Sequence, residues 1–189
     1  MSEQTKQTII VIAGEIGAGK GTVTRYLVDA YGAETVRYSA ILQDILARLG
    51  LPYAREHLAK LAEALRSTFG GGILSRALRG DIARISAPVV VVDGMRKVAE
   101  LEALCQEEQC VVVFVDAPLR TRYERIHVRG EKADDAQKTF EQFVADHERA
   151  ADREIPKLRP LADYVIDNGR GMEDMRAQVD AMMATVLNN

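Results

Sequence analysis

The sequence predicts a three-layer α/β/α domain built on a five-stranded parallel sheet, and three observations support this fold class. Short apolar segments typical of strands alternate along the chain with longer segments of helical periodicity. The apolar segments are continuous, as in parallel sheets that are covered on both faces. The chain has 189 residues, 47% of them hydrophobic, which is enough for one well-formed core. We therefore predict a single domain over residues 1–189.

Each element is predicted from its own local pattern. The strands are predicted at residues 8–13, 35–38, 88–92, 111–115 and 164–166. The helices are predicted at residues 41–49, 55–69, 72–85, 98–107, 120–127, 135–153 and 172–187. Two connections are longer than a simple crossover requires, at residues 39–87 and 120–150. Because functional segments of α/β domains lie in such connections, we interpret both as insertions that serve the ligand site.

Composition and charge exclude several classes of protein. The chain has 25 Lys and Arg residues against 28 Asp and Glu residues, a formal charge of −3, so it lacks the overall basic field of a nucleic-acid-binding protein. Its apolar runs are too short to span a membrane, and we expect a cytoplasmic protein with no membrane partner. The two cysteines, Cys105 and Cys110, signal neither a disulfide framework nor a metal site, and we predict inert buried thiols.

A phosphate-binding loop is the most specific motif in the sequence. Residues 14–20 match G-x-x-x-x-G-K, and they lie after a predicted strand and before a predicted helix, as the motif requires. Glycines let the backbone approach phosphate oxygens, and a helix amino terminus adds its positive dipole. The predicted nucleotide-binding residues are Gly14, Gly17, Ala18, Gly19, Lys20, Gly21 and Thr22. Lys20 is also expected to act in catalysis, and Thr22 is a candidate Mg²⁺ ligand because Gly21 occupies the usual Ser or Thr position.

Residues 17–22, Gly-Ala-Gly-Lys-Gly-Thr, resemble the phosphate loop of adenylate kinases and other nucleoside monophosphate kinases. Residues 111–129, with Arg122, Arg125 and Arg129, and residues 162–168 resemble dephospho-CoA kinases and an archaeal dephospho-CoA-kinase-like group. The segment Asp93-Gly94-Met95-Arg96 resembles the same archaeal group. This resemblance implies a P-loop kinase-type fold, ATP as co-substrate with Mg²⁺, and a loop at Asn168 against which the adenine rests. It also implies an acceptor-binding insertion at residues 39–87 and a lid at residues 120–150.

Two departures from those families leave the acceptor open. The loop lacks the Gly-Lys-Ser-Thr form typical of dephospho-CoA kinases, and residues 38–41 are Tyr-Ser-Ala-Ile where adenylate kinases carry Ser-Thr-Gly-Asp. We predict Ser39, Arg66 and Arg96 as acceptor-binding residues, each weighed against an ordinary surface side chain. The acceptor is expected to be small and phosphate-bearing or nucleotide-like.

Asp93 and the three arginines complete the predicted site. Asp93 ends a predicted strand at the edge where α/β domains bind ligands, and we predict that it holds Mg²⁺ or polarises the acceptor; the alternative is a turn residue before Gly94. Arg122, Arg125 and Arg129 share one helical face at i, i+3 and i+7. We predict Arg125 and Arg129 as catalytic clamps on the transferring phosphoryl group, with Arg125 also in the nucleotide site; the alternative is a solvated helix face.

These residues predict an ATP-dependent phosphotransferase that moves the γ-phosphoryl group of Mg-ATP to a nucleoside or deoxynucleoside monophosphate. Dephospho-CoA is the alternative acceptor. A nucleotide-binding switch that hydrolyses ATP is an alternative of another class, and a chain that only binds nucleotide is a third. The methionine-rich face of the last predicted helix, which includes Met172, Met175, Met182 and Met183, predicts core packing.

Overall fold

The computed structural model describes residues 7–106, 109–129, 139–146 and 153–188, with the side chains of Arg55, Arg129 and Asp146 outside the description. Its strands form one five-stranded sheet in the order β2-β3-β1-β4-β5, and every neighbouring pair is parallel. The strands are β1 Thr8–Ala13, β2 Glu34–Arg37, β3 Val89–Asp93, β4 Cys110–Asp116 and β5 Tyr164–Asp167. The predicted five-stranded parallel sheet is confirmed.

The helices follow the predicted order, with some shifts at their ends. They are α1 Lys20–Tyr31, α2 Tyr38–Arg48, α3 Arg55–Phe69, α4 Ile73–Ile82, α5 Val98–Cys105, α6 Leu119–Arg129, α7 Phe140–Asp146, α8 Ile155–Leu158 and α9 Met172–Val186. Of the helix predicted at 135–153, the described part is α7. No helix in the described ranges is long and apolar enough to cross a membrane.

Two apolar clusters lie on opposite faces of the sheet, because neighbouring side chains of a strand point to opposite faces. Ile9 and Val11 of β1 pack with α2, α4 and α5, whereas Ile10 and Ile12 pack with α1 and α9. All four side chains are at most 2% exposed. This arrangement confirms the three-layer α/β/α fold class.

A polar network connects the helices of the first insertion to α5. The hydroxyls of Tyr38 on α2 and Ser75 on α4 lie 3.0 Å apart, and Ser75 donates to the carbonyl oxygen of Glu100 on α5 at 2.8 Å. Arg66 on α3 donates from Nε and Nη2 to Glu100 Oε1, at 2.9 and 2.7 Å. Burial raises the pKa of the Tyr38 phenol above its usual range. Four successive helices are thereby connected through polar groups that would be costly to bury unpaired.

Within residues 120–150, an aromatic cluster packs α6 against α7. The Tyr123 ring lies 5.4 Å from that of Phe140 and 5.8 Å from that of Phe143. The Arg120 guanidinium lies 5.6 Å from the Tyr123 centroid. Residues 130–138 and 147–150 of the predicted lid lie outside the described residues.

The prediction that the two cysteines are free thiols is wrong. Cys105 ends α5, Cys110 begins β4, and a disulfide joins their sulfur atoms. Their Cα atoms lie 5.5 Å apart, within the usual range for a disulfide. The two residues are close because one ends α5 and the other begins β4, only five positions later. Two cysteines at this separation in the sequence do not by themselves predict a disulfide.

Candidate active site

The phosphate loop lies between the end of β1 at Ala13 and the start of α1 at Lys20. Gly17 and Gly19 have φ angles of 80° and 93°, a region that residues with a side chain rarely adopt. A Cβ atom at Gly17 would also lie 2.5 Å from the carbonyl oxygen of Arg122, and one at Gly19 would overlap Asn168 Nδ2. Both glycines are therefore required by the close approach of α6 and of the segment after β5.

Side chains from α6 and from the end of β5 donate to the carbonyl oxygens of this loop. Arg122 Nη1 lies 3.5 Å from Ile16 O, and Arg125 Nη1 lies 3.2 Å from Ala18 O. Asn168 Nδ2 donates to the same Ala18 oxygen at 2.8 Å, and its side chain is buried. These contacts hold the loop in its glycine-dependent conformation, and the amino terminus of α1 that follows is where the motif predicts an anion site.

The side chain of Lys20 reaches back to the start of the phosphate loop. Its Nζ donates to Gly14 O at 2.6 Å and to Glu15 O at 3.1 Å. The ammonium group is therefore already positioned at the loop, as the motif predicts. A lysine has a flexible stem, so its charge is able to turn toward a bound phosphate.

A cleft of about 510 Å³ opens beside the loop, on the side of β5. Its walls combine loop glycines and Thr22 with side chains of α6 and the start of α9: Gly17, Gly19, Thr22, Thr121, Glu124, Arg125, Ile126, Val128, Asn168 and Met172. Val128 and Met172 are 87% and 49% exposed, although both are apolar. A concave site with apolar walls and a few fixed polar groups suits the base and ribose of a nucleotide.

The prediction for the methionine face is correct for three residues and wrong for Met172. Met175, Met182 and Met183 are at most 2% exposed and pack in the core. Met172 is the first residue of α9 and lines the cleft instead, because α9 begins four residues after Asn168 at the same cleft.

On the opposite side of the loop, the ends of β2 and β3 carry a cation and a carboxylate. Arg37 and Asp93 are partners in the register of these strands, and Arg37 Nε lies 3.4 Å from Asp93 Oδ2. Asp93 was predicted, whereas Arg37 was missed. The sequence did contain an indication of Arg37: it is a charged residue near the carboxyl end of the strand predicted at 35–38, the end at which α/β domains bind ligands.

The two predicted Mg²⁺ ligands have different surroundings: Asp93 ends β3, and Thr22 lines the cleft. Mg²⁺ prefers carboxylate, water and phosphate oxygens, and Asp93 offers a carboxylate whose side chain is 19% exposed. Thr22 lines the cleft with Asn168 and Met172, on the other side of β1 from β3. Among the described residues, no group of three or more acidic, histidine or cysteine side chains is placed to hold a metal ion. The donor chemistry therefore fits a largely hydrated Mg²⁺ at Asp93.

The remaining predicted residues are placed as follows. Ser39 is half-buried at the second position of α2, directly after β2, and Arg96 is exposed between β3 and α5. Arg66 is held by Glu100, a carboxylate that is only 2% exposed and was not anticipated. Arg125 lines the cleft, and its role in nucleotide binding stays a prediction. Arg129 is the last residue of α6, and its side chain lies outside the described atoms, so its role stays a prediction.

Residues 10–155 match the model of a family described as an AAA domain, which is more than half of the chain. The chain belongs to this AAA-domain family. Among relatives of this AAA-domain chain, the UPF0200 protein of the archaeon Hyperthermus butylicus is 28% identical over 176 residues, and the match covers 93% of each chain.

Solved structures resemble the whole AAA-domain chain. The crystal structure of TT1252 from Thermus thermophilus has a TM-score of 0.64 at 23% identity, and the match covers 95% of this chain and 98% of that one. Shikimate kinase from Acinetobacter baumannii, in complex with shikimate, has a TM-score of 0.55 at 19% identity, with 98% and 96% covered. The chain therefore has a P-loop kinase-type α/β fold.

Proposed function

We propose that this chain is a kinase that transfers the γ-phosphoryl group of Mg-ATP to a nucleoside or deoxynucleoside monophosphate. The observation that carries the proposal is the presence of two different surfaces on either side of one phosphate loop. The cleft on the β5 side has the apolar walls of a nucleoside site. The β3 side has charged groups at the ends of two strands and a helical insertion beside them. One loop between two sites is what phosphoryl transfer between two bound substrates requires.

On the donor side, the cleft binds the base and ribose, and the loop binds the phosphates. Asn168 and Arg125 fix the wall of the cleft through Ala18, and Met172 and Val128 supply apolar surface. The backbone of the loop and the amino terminus of α1 receive the β-phosphate. Lys20 moves from its carbonyl partners to the transferring group and stabilises the charge that spreads over its oxygens.

On the acceptor side, the charged groups favour an anionic acceptor. Arg37 is 57% exposed at the ligand edge, although it also contacts Asp93. Arg66 donates from Nε and Nη2 to a single oxygen of Glu100. Its third guanidinium nitrogen, Nη1, is the one proposed to donate to a phosphate. Arg96 and Ser39 lie at the start of the segments that follow β3 and β2. Together these residues are suited to hold a phosphate-bearing acceptor beside the loop.

Mg²⁺ would be held at Asp93 through water and would neutralise charge on the phosphates of ATP. Asp93 keeps one carboxylate oxygen directed toward Arg37 Nε, and its second oxygen is the better candidate to receive a hydrated ion or the acceptor hydroxyl. Arg37 holds this carboxylate at the sheet edge. Thr22 is better placed for the phosphate nearest the ribose, because it lines the cleft.

Other acceptors and one other class of activity compete with this proposal. Dephospho-CoA is suggested by the sequence resemblance, and shikimate is the ligand of one protein with the same fold. A switch that hydrolyses ATP would need a group to activate water, and Gly94 rather than an acid follows Asp93. The helical insertion also favours a second small substrate over water.

The deciding experiment is an acceptor screen with Mg-ATP. The panel contains ribo- and deoxyribonucleoside monophosphates, dephospho-CoA and shikimate, and ADP formation is measured against a reaction without acceptor. We expect slow basal hydrolysis and a strong rise with one class of monophosphate, because closure around two substrates excludes water. Fast hydrolysis that no acceptor changes would place the chain among ATP-hydrolysing switches, and a rise with another acceptor alone would reassign the substrate.

A further inference from the structure

The phosphate loop of this chain contains an acidic residue, Glu15, at its second position. A carboxylate at this place adds negative charge to the surface that is proposed to bind a polyphosphate. Coulomb repulsion between like charges is larger near a protein surface than in bulk water, because the effective dielectric is lower. The loop would therefore bind phosphates less tightly unless a cation compensates for Glu15.

Arg122 of α6 is that cation. Its Nη2 lies 3.0 Å from Glu15 Oε2, and the Arg122 side chain is only 7% exposed, whereas that of Glu15 is 23% exposed. Arg122 also donates from Nε to Ala117 O at 3.2 Å, and its Nη1 lies 3.5 Å from Ile16 O. The guanidinium is therefore fixed beside the loop and is not placed to follow a moving lid. Its charge and that of Glu15 largely cancel where the phosphates would lie.

We propose that Glu15 is an attenuator of the phosphate loop: it neutralises Arg122 and thereby limits the affinity of the loop for polyphosphates. The cationic character of the loop then depends on Lys20, whose Nζ contacts the Glu15 carbonyl oxygen, and on Arg125, whose Nη1 lies 3.2 Å from Ala18 O. The proposal rests on the proposed function only in requiring that the loop binds the phosphates of ATP. Its consequence for turnover is faster release of ADP, because a loop with one more uncompensated cation would hold the product more tightly.

A purely mechanical role for the ion pair predicts the opposite sign. If Glu15 only braces the loop against α6, removing its charge loosens the loop and weakens nucleotide binding. If Glu15 attenuates the loop, the same change leaves Arg122 with less compensation and strengthens binding. The gain should also increase with the charge of the ligand, from AMP to ADP to ATP, and should be absent for uncharged adenosine.

The test is calorimetric titration of Glu15→Gln with adenosine, AMP, ADP and ATP at low and high ionic strength. Glutamine keeps the size and hydrogen-bonding shape of the side chain and removes its charge. We expect ATP to bind on the order of fivefold more tightly at low ionic strength, with a smaller gain at high ionic strength. The control is Glu56→Gln on α3, which makes the same charge change in an acid paired with Lys60 at 2.7 Å and should change no nucleotide affinity.

A second variant gives the reciprocal result. Arg122→Gln leaves the Glu15 carboxylate without this partner and should weaken ATP binding, while the double variant should return close to the wild-type affinity. Thermal melting establishes that each variant is folded, and Glu15→Ala gives the same electrostatic comparison if Glu15→Gln is unfolded. Unchanged or weaker ATP binding in a folded charge-removal variant would overturn the inference. Absence of ATP binding by the wild-type protein would instead overturn the proposed function.

Discussion

At the scale of single residues, three cations contact the phosphate loop, and they fall into two groups by the helix that carries them. Arg122 and Arg125 start from α6, and both contact carbonyl oxygens on the loop. Lys20 also contacts loop carbonyl oxygens, but it starts from the first turn of α1 and has a flexible stem. We therefore expect the arginines to shape the loop, and Lys20 to be the cation that turns toward the transferring group.

Replacing Lys20 with alanine should lower turnover much more than stability. Loss of one preorganised charge from a phosphoryl-transfer site costs about 3 kcal/mol of barrier, which is on the order of a hundredfold in rate. The expected change in melting temperature is small, because Lys20 is only half-buried and belongs to neither apolar cluster of the core. Steady-state kinetics at saturating ATP and acceptor, with thermal melting, check both expectations. Lys60→Ala is a control on α3, and a Lys20→Ala enzyme with most of its activity would contradict the assigned role.

The sequence was sufficient for the residues that belong to one local motif. Lys20 and the loop glycines could be predicted because strand, loop and helix follow one another directly. The contact between Arg37 and Asp93 could not be predicted, since it depends on β2 and β3 being neighbours in the sheet. The spacing of Arg122 and Arg125 correctly placed both on one helix face. It did not reveal that this face contacts the phosphate loop.

At the scale of elements, α1 and α9 are joined by two tyrosines that share one carboxylate. Tyr26 and Tyr31 on α1 donate to Asp180 on α9, with the closest contact 2.7 Å from the Tyr31 hydroxyl. The Arg176 guanidinium lies 5.6 Å from the Tyr26 centroid. This contact holds α1, which begins at the phosphate loop, against α9, which begins at the cleft wall.

The pH dependence of stability should report this contact. The hydrogen bonds from Tyr31 and Tyr26 lower the pKa of Asp180 below its usual value. A lowered pKa in the folded state contributes stability above the unfolded-state value, and this contribution is lost as the pH falls through the folded-state value. Asp180→Asn should therefore melt below the wild-type protein at about pH 7, and the difference should shrink toward about pH 3.

The comparison requires a control with the same change in charge. Asp29→Asn removes an exposed acid from α1 and should not reproduce the pH-dependent difference in melting temperature. A difference between Asp180→Asn and the wild-type protein that stays constant over the whole pH range would show that the contact does not depend on the ionised carboxylate.

The elements could be predicted to different degrees, for physical reasons. Strands buried on both faces are continuously apolar, so β1 was predicted with its observed ends and β3 within one residue. Helix ends depend on tertiary contacts. Helix α2 begins at Tyr38, three residues before its predicted start, and the buried Tyr38 hydroxyl contacts Ser75 there. The helix predicted at 72–85 ends at Ile82.

At the scale of the whole molecule, the candidate site and the disulfide lie at opposite ends of the sheet. The phosphate loop and Asn168 follow the carboxyl ends of β1 and β5, and Asp93 is the last residue of β3. Cys110 is the first residue of β4, at the amino end, and its partner Cys105 is the last residue of α5. The connection between them is therefore expected to affect the stability of the domain and not the chemistry of its site.

Removal of the disulfide should lower stability without changing activity. The bond joins residues five positions apart, and closing so short a loop stabilises by about 2 kcal/mol in the chain-entropy account. For a chain of this size, that corresponds to a fall in melting temperature of about 4–8 °C. Calorimetry of the Cys105→Ser, Cys110→Ser double variant, and of the wild-type protein with and without reductant, measures the effect. The control is the double variant itself, whose melting temperature reductant should not change.

Two outcomes would contradict this account. Two titratable thiols in native protein purified without reductant would contradict the bond itself. A loss of turnover in the folded double variant would contradict the separation of the disulfide from the site.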